Sequence, residues 1–319
     1  MLSATYREEF FSDLQTSLHE TFADRARHPR GACRAGALTQ PVSAVGERVA
    51  IGSRAVSGDG EPQLYLQDDQ PPGVPPLALT GERTLPDVPA ENYWFQRHLV
   101  VYQWIAAQVG GLRVVDMACG EGYGSDVLAS AGAAAVVGVD ANPEAFEHAR
   151  LRYVRDNLRF VRTMVETFDE PCDALVFLQT IEHVQNPGAV LARFRALVGD
   201  SSRGVVFVST PNVLTLAPPG AQRSGNPWHV YEYRPEEFAA LCGAHFGSVR
   251  ILGLYHARKL ALHAAALALG WDALHARLGI TKRFYDRFTP AIDVRDFALR
   301  AGSARELHGA LDLVAVLRP

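Results

Sequence analysis

The sequence has no apolar run of the ~18 residues that a bilayer-crossing helix requires. Its longest candidate, Leu260 to Trp271, is too short, so no membrane span is expected. No secretory leader is expected either. Met1 to Glu20 is broken by Arg7, Glu8, Glu9 and Asp13, which leaves no continuous apolar core. Cysteine is scarce: the four are Cys33, Cys119, Cys172 and Cys242, and none forms a CxxC pair. That excludes a zinc knuckle and a thioredoxin-type motif. Such wide spacing reads as buried thiols in a reducing compartment, so a cytoplasmic location is expected. Positive charge is not in excess, with 31 Lys and Arg against 35 Asp and Glu and a formal net charge of -4. Holding nucleic acid by bulk charge needs a basic surface, so no nucleic-acid partner is expected. No internal repeat is present.

What remains is ordinary globular composition: 319 residues, 48% hydrophobic and 21% charged, enough for one large domain with appendages. Three regions differ in character. Residues 1–77 carry Tyr6, Phe10, Leu14, Leu18 and Phe22 at every fourth position, which predicts one amphipathic helix. A stretch rich in Ala, Gly, Ser, Pro and Gln follows and reads as linker. That helix packs on the main domain or on another subunit, or belongs to a loosely attached extension; a homodimer is one expected assembly. Residues 78–256 alternate strand and helix. Arg113–Ala118, Ala135–Asp140, Leu158–Thr163, Asp173–Gln179 and Gly204–Thr210 read as strands, and Asn142-Pro143 starts a helix. Strands this apolar, alternating with helices, indicate a parallel sheet covered on both faces. Residues 257–319 hold a helical stretch, Leu260 to Leu278, then an irregular segment and a last strand, Leu311 to Leu317. The spacing suggests a helical cap over the sheet.

The segment Val114-Val115-Asp116-Met117-Ala118-Cys119-Gly120-Glu121-Gly122-Tyr123-Gly124 is a strand, a glycine-rich turn and a helix start. In an open α/β sheet this turn is the expected ligand crevice. Asp140 ends the second strand, 20 positions after Gly120, where a carboxylate accepts both ribose hydroxyls of an adenosine cofactor. Two cofactors fit that much. A dinucleotide fingerprint needs G-x-G-x-x-G, and here the third glycine is misplaced by one. Asp116, just ahead of the loop, suits the ammonium of S-adenosylmethionine (SAM) and repels a pyrophosphate. SAM is therefore favoured over NAD. An NAD-dependent oxidoreductase and a non-catalytic SAM-binding protein remain the alternatives.

These motifs resemble those of class I SAM-dependent methyltransferases. VVDMACGEGYG is similar to their first motif and VVGVD to the next, while FLQTIEHVQNP and VVFVSTPN resemble the ubiquinone-pathway O-methyltransferase branch. ALTGERTLPDVPAENYWFQRH, NPWHVYEYRPEEF and LDLVAVLRP resemble actinobacterial methyltransferases of polymethylated-polysaccharide gene clusters. The resemblance implies a Rossmann-like sheet of seven strands, the last antiparallel, with a helical insertion before it. It implies that Ala118, Cys119, Gly120, Gly122 and Tyr123 wrap the methionine part, and that Asp140 and Ala141 hold the ribose. Met164 would lie near adenine, Gln179 at the crevice edge, and Arg97 on the SAM carboxylate. Ala118 departs from a glycine common in the family, and Thr163 from an acid.

Methyl transfer to an alcohol needs alignment and removal of a proton. Glu182 and His183 follow the fourth strand, and His229 lies beyond the fifth. Either His183 or His229 is a general base oriented by Glu182, or all three bind a divalent cation such as Mg2+. Relatives that bind metal carry Glu-x-x-Glu-His, and Gln179 replaces the first acid here. Both histidines also have plain structural readings, as a helix-start cap and as a packed loop residue. Trp228, Tyr231 and Tyr233 either stack on a sugar ring or belong to the core. The expected acceptor is a saccharide or other small hydroxylated metabolite.

Overall fold

The computed structural model describes residues 64–67, 69–80, 83–200, 203–218 and 220–319. The amphipathic segment Tyr6 to Phe22, Cys33 and the linker up to residue 63 lie outside the described residues.

A two-stranded antiparallel pair, β1 (Leu64–Tyr65) and β2 (Leu77–Ala78), precedes helix α1 (Asn92–Ala106). The alternating core then runs β3 (Arg113–Met117), α2 (Tyr123–Ser130), β4 (Ala135–Asp140), α3 (Pro143–Arg152), β5 (Leu158–Arg162) and β6 (Ala174–Leu178). It continues through α4 (Pro187–Val198), β7 (Val205–Pro211), α5 (Val213–Leu216), α6 (Pro235–Gly243) and β8 (Ser248–His256). The last region contains α7 (Arg258–Ala268), α8 (Trp271–Arg277), α9 (Thr281–Phe288), β9 (Phe297–Ala301), α10 (Ala304–Leu307) and β10 (Asp312–Arg318).

Eight strands form one sheet in the order β5-β4-β3-β6-β7-β10-β8-β9. β5 to β7 are parallel, and β10 inserts antiparallel between β7 and β8, as expected of the last strand. The expected count of seven is short by one. β9 pairs antiparallel with β8 as an edge strand formed inside the insertion, in a segment that reads as irregular. The apolar strand runs bury both faces. One face packs on Phe194, Leu191 and Phe238 of α4 and α6, the other on Tyr93, Val101 and Ile105 of α1 and on Leu128 of α2.

Local signals explain the helix starts. Asn142 accepts from the amides of Glu144 and Ala145, 2.9 Å each, with Pro143 next, and Asn186 accepts from Ala189 N at 3.1 Å. The long helix expected over Leu260 to Leu278 is instead two, broken at Gly270, which adopts φ 87°. The insertion packs against α1: Asn92 Nδ2 donates to the carbonyls of Thr289 and Ile292, at 2.9 and 2.8 Å. Among the described residues, those that line the crevice fall within 80–228. Cys119, Cys172 and Cys242 are buried free thiols; burial pushes Cys172 and Cys242 up to about 12, which keeps them unreactive near neutral pH. No helix among the described residues is long and apolar enough to cross a membrane.

Candidate active site

The carboxyl ends of β3, β4 and β6 open onto two cavities of about 460 and 520 Å³. They share Ala118, Asp140, Thr180 and His183, so they are two halves of one crevice. Each lies in the range of about 300–1,000 Å³ typical of small-molecule sites.

The first half runs over the glycine loop, with Ala118, Cys119, Gly120, Glu121 and Tyr123 along its wall. The loop is bent by left-handed backbone. Gly120 has φ 57° and Gly122 φ 101°, but Ala118 also sits at φ 55° and Gln179, on the facing strand end, at φ 50°. An L-residue pays about 1–2 kcal/mol for that conformation, and such strain gathers at functional sites. Gly122 faces inward rather than into the crevice: a Cβ there would lie 2.8 Å from Ala149 Cβ.

Asp140 lines both halves. Its carboxylate accepts from Gly120 N and Asn142 N, each at 2.8 Å, which pins the glycine loop to the end of β4. Burial raises its carboxyl above the ordinary value in spite of those donors and of nearby Arg83. Ala141 and Met164 line the second half, where Met164 is 55% exposed. Gln179 lines the first half, and its Nε2 donates to Ser209 Oγ at 2.9 Å.

Besides Gly122, two expected cofactor contacts need correction. Arg97 does not reach the crevice. It is buried, its Nε donates to Asp312 Oδ2 at 2.7 Å, and its Nη2 donates to the carbonyl of Leu311. Asp116 is fully buried beneath the loop and is not among the lining residues. It accepts from Ser125 Oγ at 2.7 Å and Tyr102 OH at 3.1 Å, and burial lifts its carboxyl to about 7. It shapes the loop from behind.

Some lining residues lie in the segment ALTGERTLPDVPAENYWFQRH, ahead of the first core strand. Thr80, Arg83, Thr84 and His98 form the wall opposite the glycine loop, and the Arg83 side chain runs close over Gly120. Burial pushes His98 down to about 4, so it is neutral at pH 7. Glu121, 1% exposed, gathers Gln67 Nε2, Tyr153 OH, His148 Nε2 and Tyr123 N at 2.8–3.1 Å. The His148 Nδ1 bonds the carbonyl of Pro75 at 2.7 Å, so this one carboxylate ties α3 and the segment before α1 to the loop.

Beside the crevice, Glu182, His183 and His229 bring one ligand-capable atom each within 4.8 Å of one another. A short 3-10 turn, Ile181–His183, presents the first two at the end of β6. His183 lines both cavities, and its Nδ1 donates to the carbonyl of Trp228 at 3.0 Å. The two imidazole rings meet edge to face, 5.0 Å between centroids. The Glu182 carbonyl accepts from Val230 N and Tyr231 N, which anchors the His229 loop to the same turn. His229 is not oriented by Glu182. Its Nδ1 lies 2.7 Å from Glu232 Oε1. Burial pushes Glu232 upward, but hydrogen bonds from His229 and Ser224 outweigh it and hold the carboxyl below its ordinary value. Trp228, 65% exposed, lines the crevice mouth, while Tyr231 is 44% exposed and Tyr233 is buried in the core.

A family model described as a methyltransferase domain matches residues 85–253, more than half of the chain. A protein of Mycobacterium tuberculosis described as a probable S-adenosylmethionine-dependent methyltransferase is 34% identical over 271 residues, which cover 80% of this chain and 96% of that protein. The chain belongs to the SAM-dependent methyltransferases. A Mycolicibacterium smegmatis protein of the same description is 35% identical over 251 residues, covering 76% of this methyltransferase and 96% of the relative. A ubiquinone biosynthesis O-methyltransferase of Neisseria meningitidis is 32% identical over 113 residues, 33% of this chain and 47% of that protein. Among solved structures, an S-adenosylmethionine-dependent methyltransferase from Mesorhizobium loti aligns with a TM-score of 0.48 at 16% identity, covering 70% of this chain and 98% of that one.

Proposed function

We propose that this methyltransferase transfers a methyl group to a hydroxyl of a saccharide or other small hydroxylated metabolite. The observation that carries the reading is His183 at the crevice edge, beside Glu182 and His229. SAM supplies the electrophilic methyl. Asp140 and Ala141 hold the ribose, Met164 borders the adenine, and Arg83 takes the place of Arg97 as partner of the methionine carboxylate. His183 keeps its Nδ1 proton on the Trp228 carbonyl, so its Nε2 accepts the hydroxyl proton. The exposed Trp228 ring offers a flat apolar face for the acceptor, a common use of aromatic rings beside sugars. The ubiquinone-pathway relatives named above are O-methyltransferases, which supports oxygen as the atom methylated.

A second reading rests on the same cluster. Two imidazoles and a carboxylate, with both histidine Nδ1 atoms engaged by outer acceptors, form a donor set that fits a divalent cation. Its nitrogen content suits zinc or iron better than Mg2+, which prefers oxygen ligands. Glu182, His183 and His229 would hold the ion, and it would acidify an acceptor hydroxyl.

The test is incubation with methyl-labelled SAM and a panel of cell-derived glycans and lipids, with and without EDTA. Label in a glycan fraction supports the acceptor class; label in protein or lipid alone rejects it. Turnover unaffected by EDTA supports His183 as the base. Loss on EDTA, restored by a divalent ion, favours the second reading.

A further inference from the structure

The loop from Arg223 to Glu232 has no helix or strand to hold its shape, yet it delivers His229 to the cluster. A single carboxylate closes it. Glu232, 8% exposed, accepts from the backbone amide of Ser224 at 2.7 Å, from Ser224 Oγ, and from His229 Nδ1 at 2.7 Å. Three donors from both ends of the loop thus converge on one buried group. Arg223 adds a clasp by donating to the carbonyls of His229 and Val230.

We propose that Glu232 is the positioning residue of this site, fixing both the ring plane and the tautomer of His229. A carboxylate only accepts, so the His229 Nδ1 must carry the proton. In the neutral ring Nε2 is then the unprotonated atom, set beside Glu182 and His183 to accept a proton or bind a cation. The same logic orients His183 through the Trp228 carbonyl, and Trp228 is the residue before His229. One loop therefore sets both imidazoles, and Glu232 is the group that holds that loop. The inference rests on the reading that this cluster serves the acceptor, and it holds whether the bare nitrogens accept a proton or bind a cation.

Histidine-selective 15N NMR of the full chain tests it first. Wild-type His229 is expected with Nδ1 protonated and Nε2 bare, and Glu232→Gln with a mixture of tautomers. Methyl transfer from labelled SAM to a bacterial glycan extract supplies the second readout. Glu232→Gln should lower kcat by about 10–100-fold, with the KM for SAM changed by less than about twofold. Glu232→Asp, which keeps the acceptor charge, should recover part of that loss. Wild-type His229 protonated on Nε2 overturns the proposal, whatever the variants do. Wild-type kcat in Glu232→Gln, with His229→Ala inactive, overturns it while the reading of the cluster stands. Undiminished turnover in His229→Ala removes that reading and the proposal together.

Discussion

Gly124 offers a sharp physical test because a Cβ there has nowhere to go. It would lie 2.1 Å from Tyr102 Cζ and 2.3 and 2.6 Å from the two ε carbons of that ring. Carbon atoms sit comfortably at about 3.5–4.0 Å, so in Gly124→Ala the ring must retreat by more than an ångström. Tyr102 cannot do so freely. It is 6% exposed, meets Tyr123 edge-on with centroids 5.6 Å apart, and donates to the buried Asp116 at 3.1 Å. Overpacking costs about 1–3 kcal/mol, and loss of a hydrogen bond to a buried carboxyl about 1–3 more. The helix gains back about 1 kcal/mol from alanine. The net expectation is about 1–5 kcal/mol of destabilisation, read by urea denaturation with an unchanged m-value. Tyr102 also lines the crevice, so SAM affinity falls as well. Adding Tyr102→Leu to Gly124→Ala frees the space, and the second change should then cost less than it does alone. A Gly124→Ala protein within about 0.5 kcal/mol of wild type would refute the packing argument.

Three other outcomes follow from the same geometry. Ala118→Gly removes an L-residue from φ 55° and should stabilise the fold by about 1 kcal/mol, read as a higher denaturation midpoint; a lower midpoint refutes the strain. Arg97→Ala strands the buried Asp312 carboxylate and should cost about 3–5 kcal/mol of stability, while SAM affinity measured at low temperature on the folded fraction stays near wild type; a selective loss of affinity would restore Arg97 to the cofactor site. Asp116 has its folded value raised to about 7 from 3.8, so the native state holds the proton more tightly than the unfolded chain between those values. Its contribution is full below about pH 4 and is lost as pH rises toward 7, at up to about 1.4 kcal/mol per unit. Asp116→Asn should flatten the stability curve across that window, and an unaltered slope contradicts the assignment.

The parts legible in the sequence are those whose signal is local. The bend after β3, the Asn142 cap and the place of Asp140 each depend on a few neighbouring residues, and all lie where spacing puts them. Contacts between distant residues were not legible. Arg97 reads as a free cation near the loop because its partner, Asp312, lies 215 positions away. Asp116 reads as a ligand contact because nothing in its own strand reveals the Ser125 and Tyr102 donors. Arg83, Thr84 and His98 lie in the segment ALTGERTLPDVPAENYWFQRH, but no local pattern shows that they line the crevice; only the fold brings them beside the glycine loop. β9 escaped because its short, weakly apolar run needs β8 beside it to become a strand. Glu232 did leave a trace, a carboxylate three residues after a candidate histidine. Glu182, adjacent to His183 in the motif, drew the orienting role instead.

The most direct measurement is calorimetric titration of S-adenosylhomocysteine into the wild-type protein and into Asp140→Ala. A single saturable site is expected in the wild type. Removing the carboxylate that faces both halves of the crevice should weaken it at least about 30-fold, or roughly 2 kcal/mol. Equal affinity in the two proteins would show that the cofactor is held elsewhere.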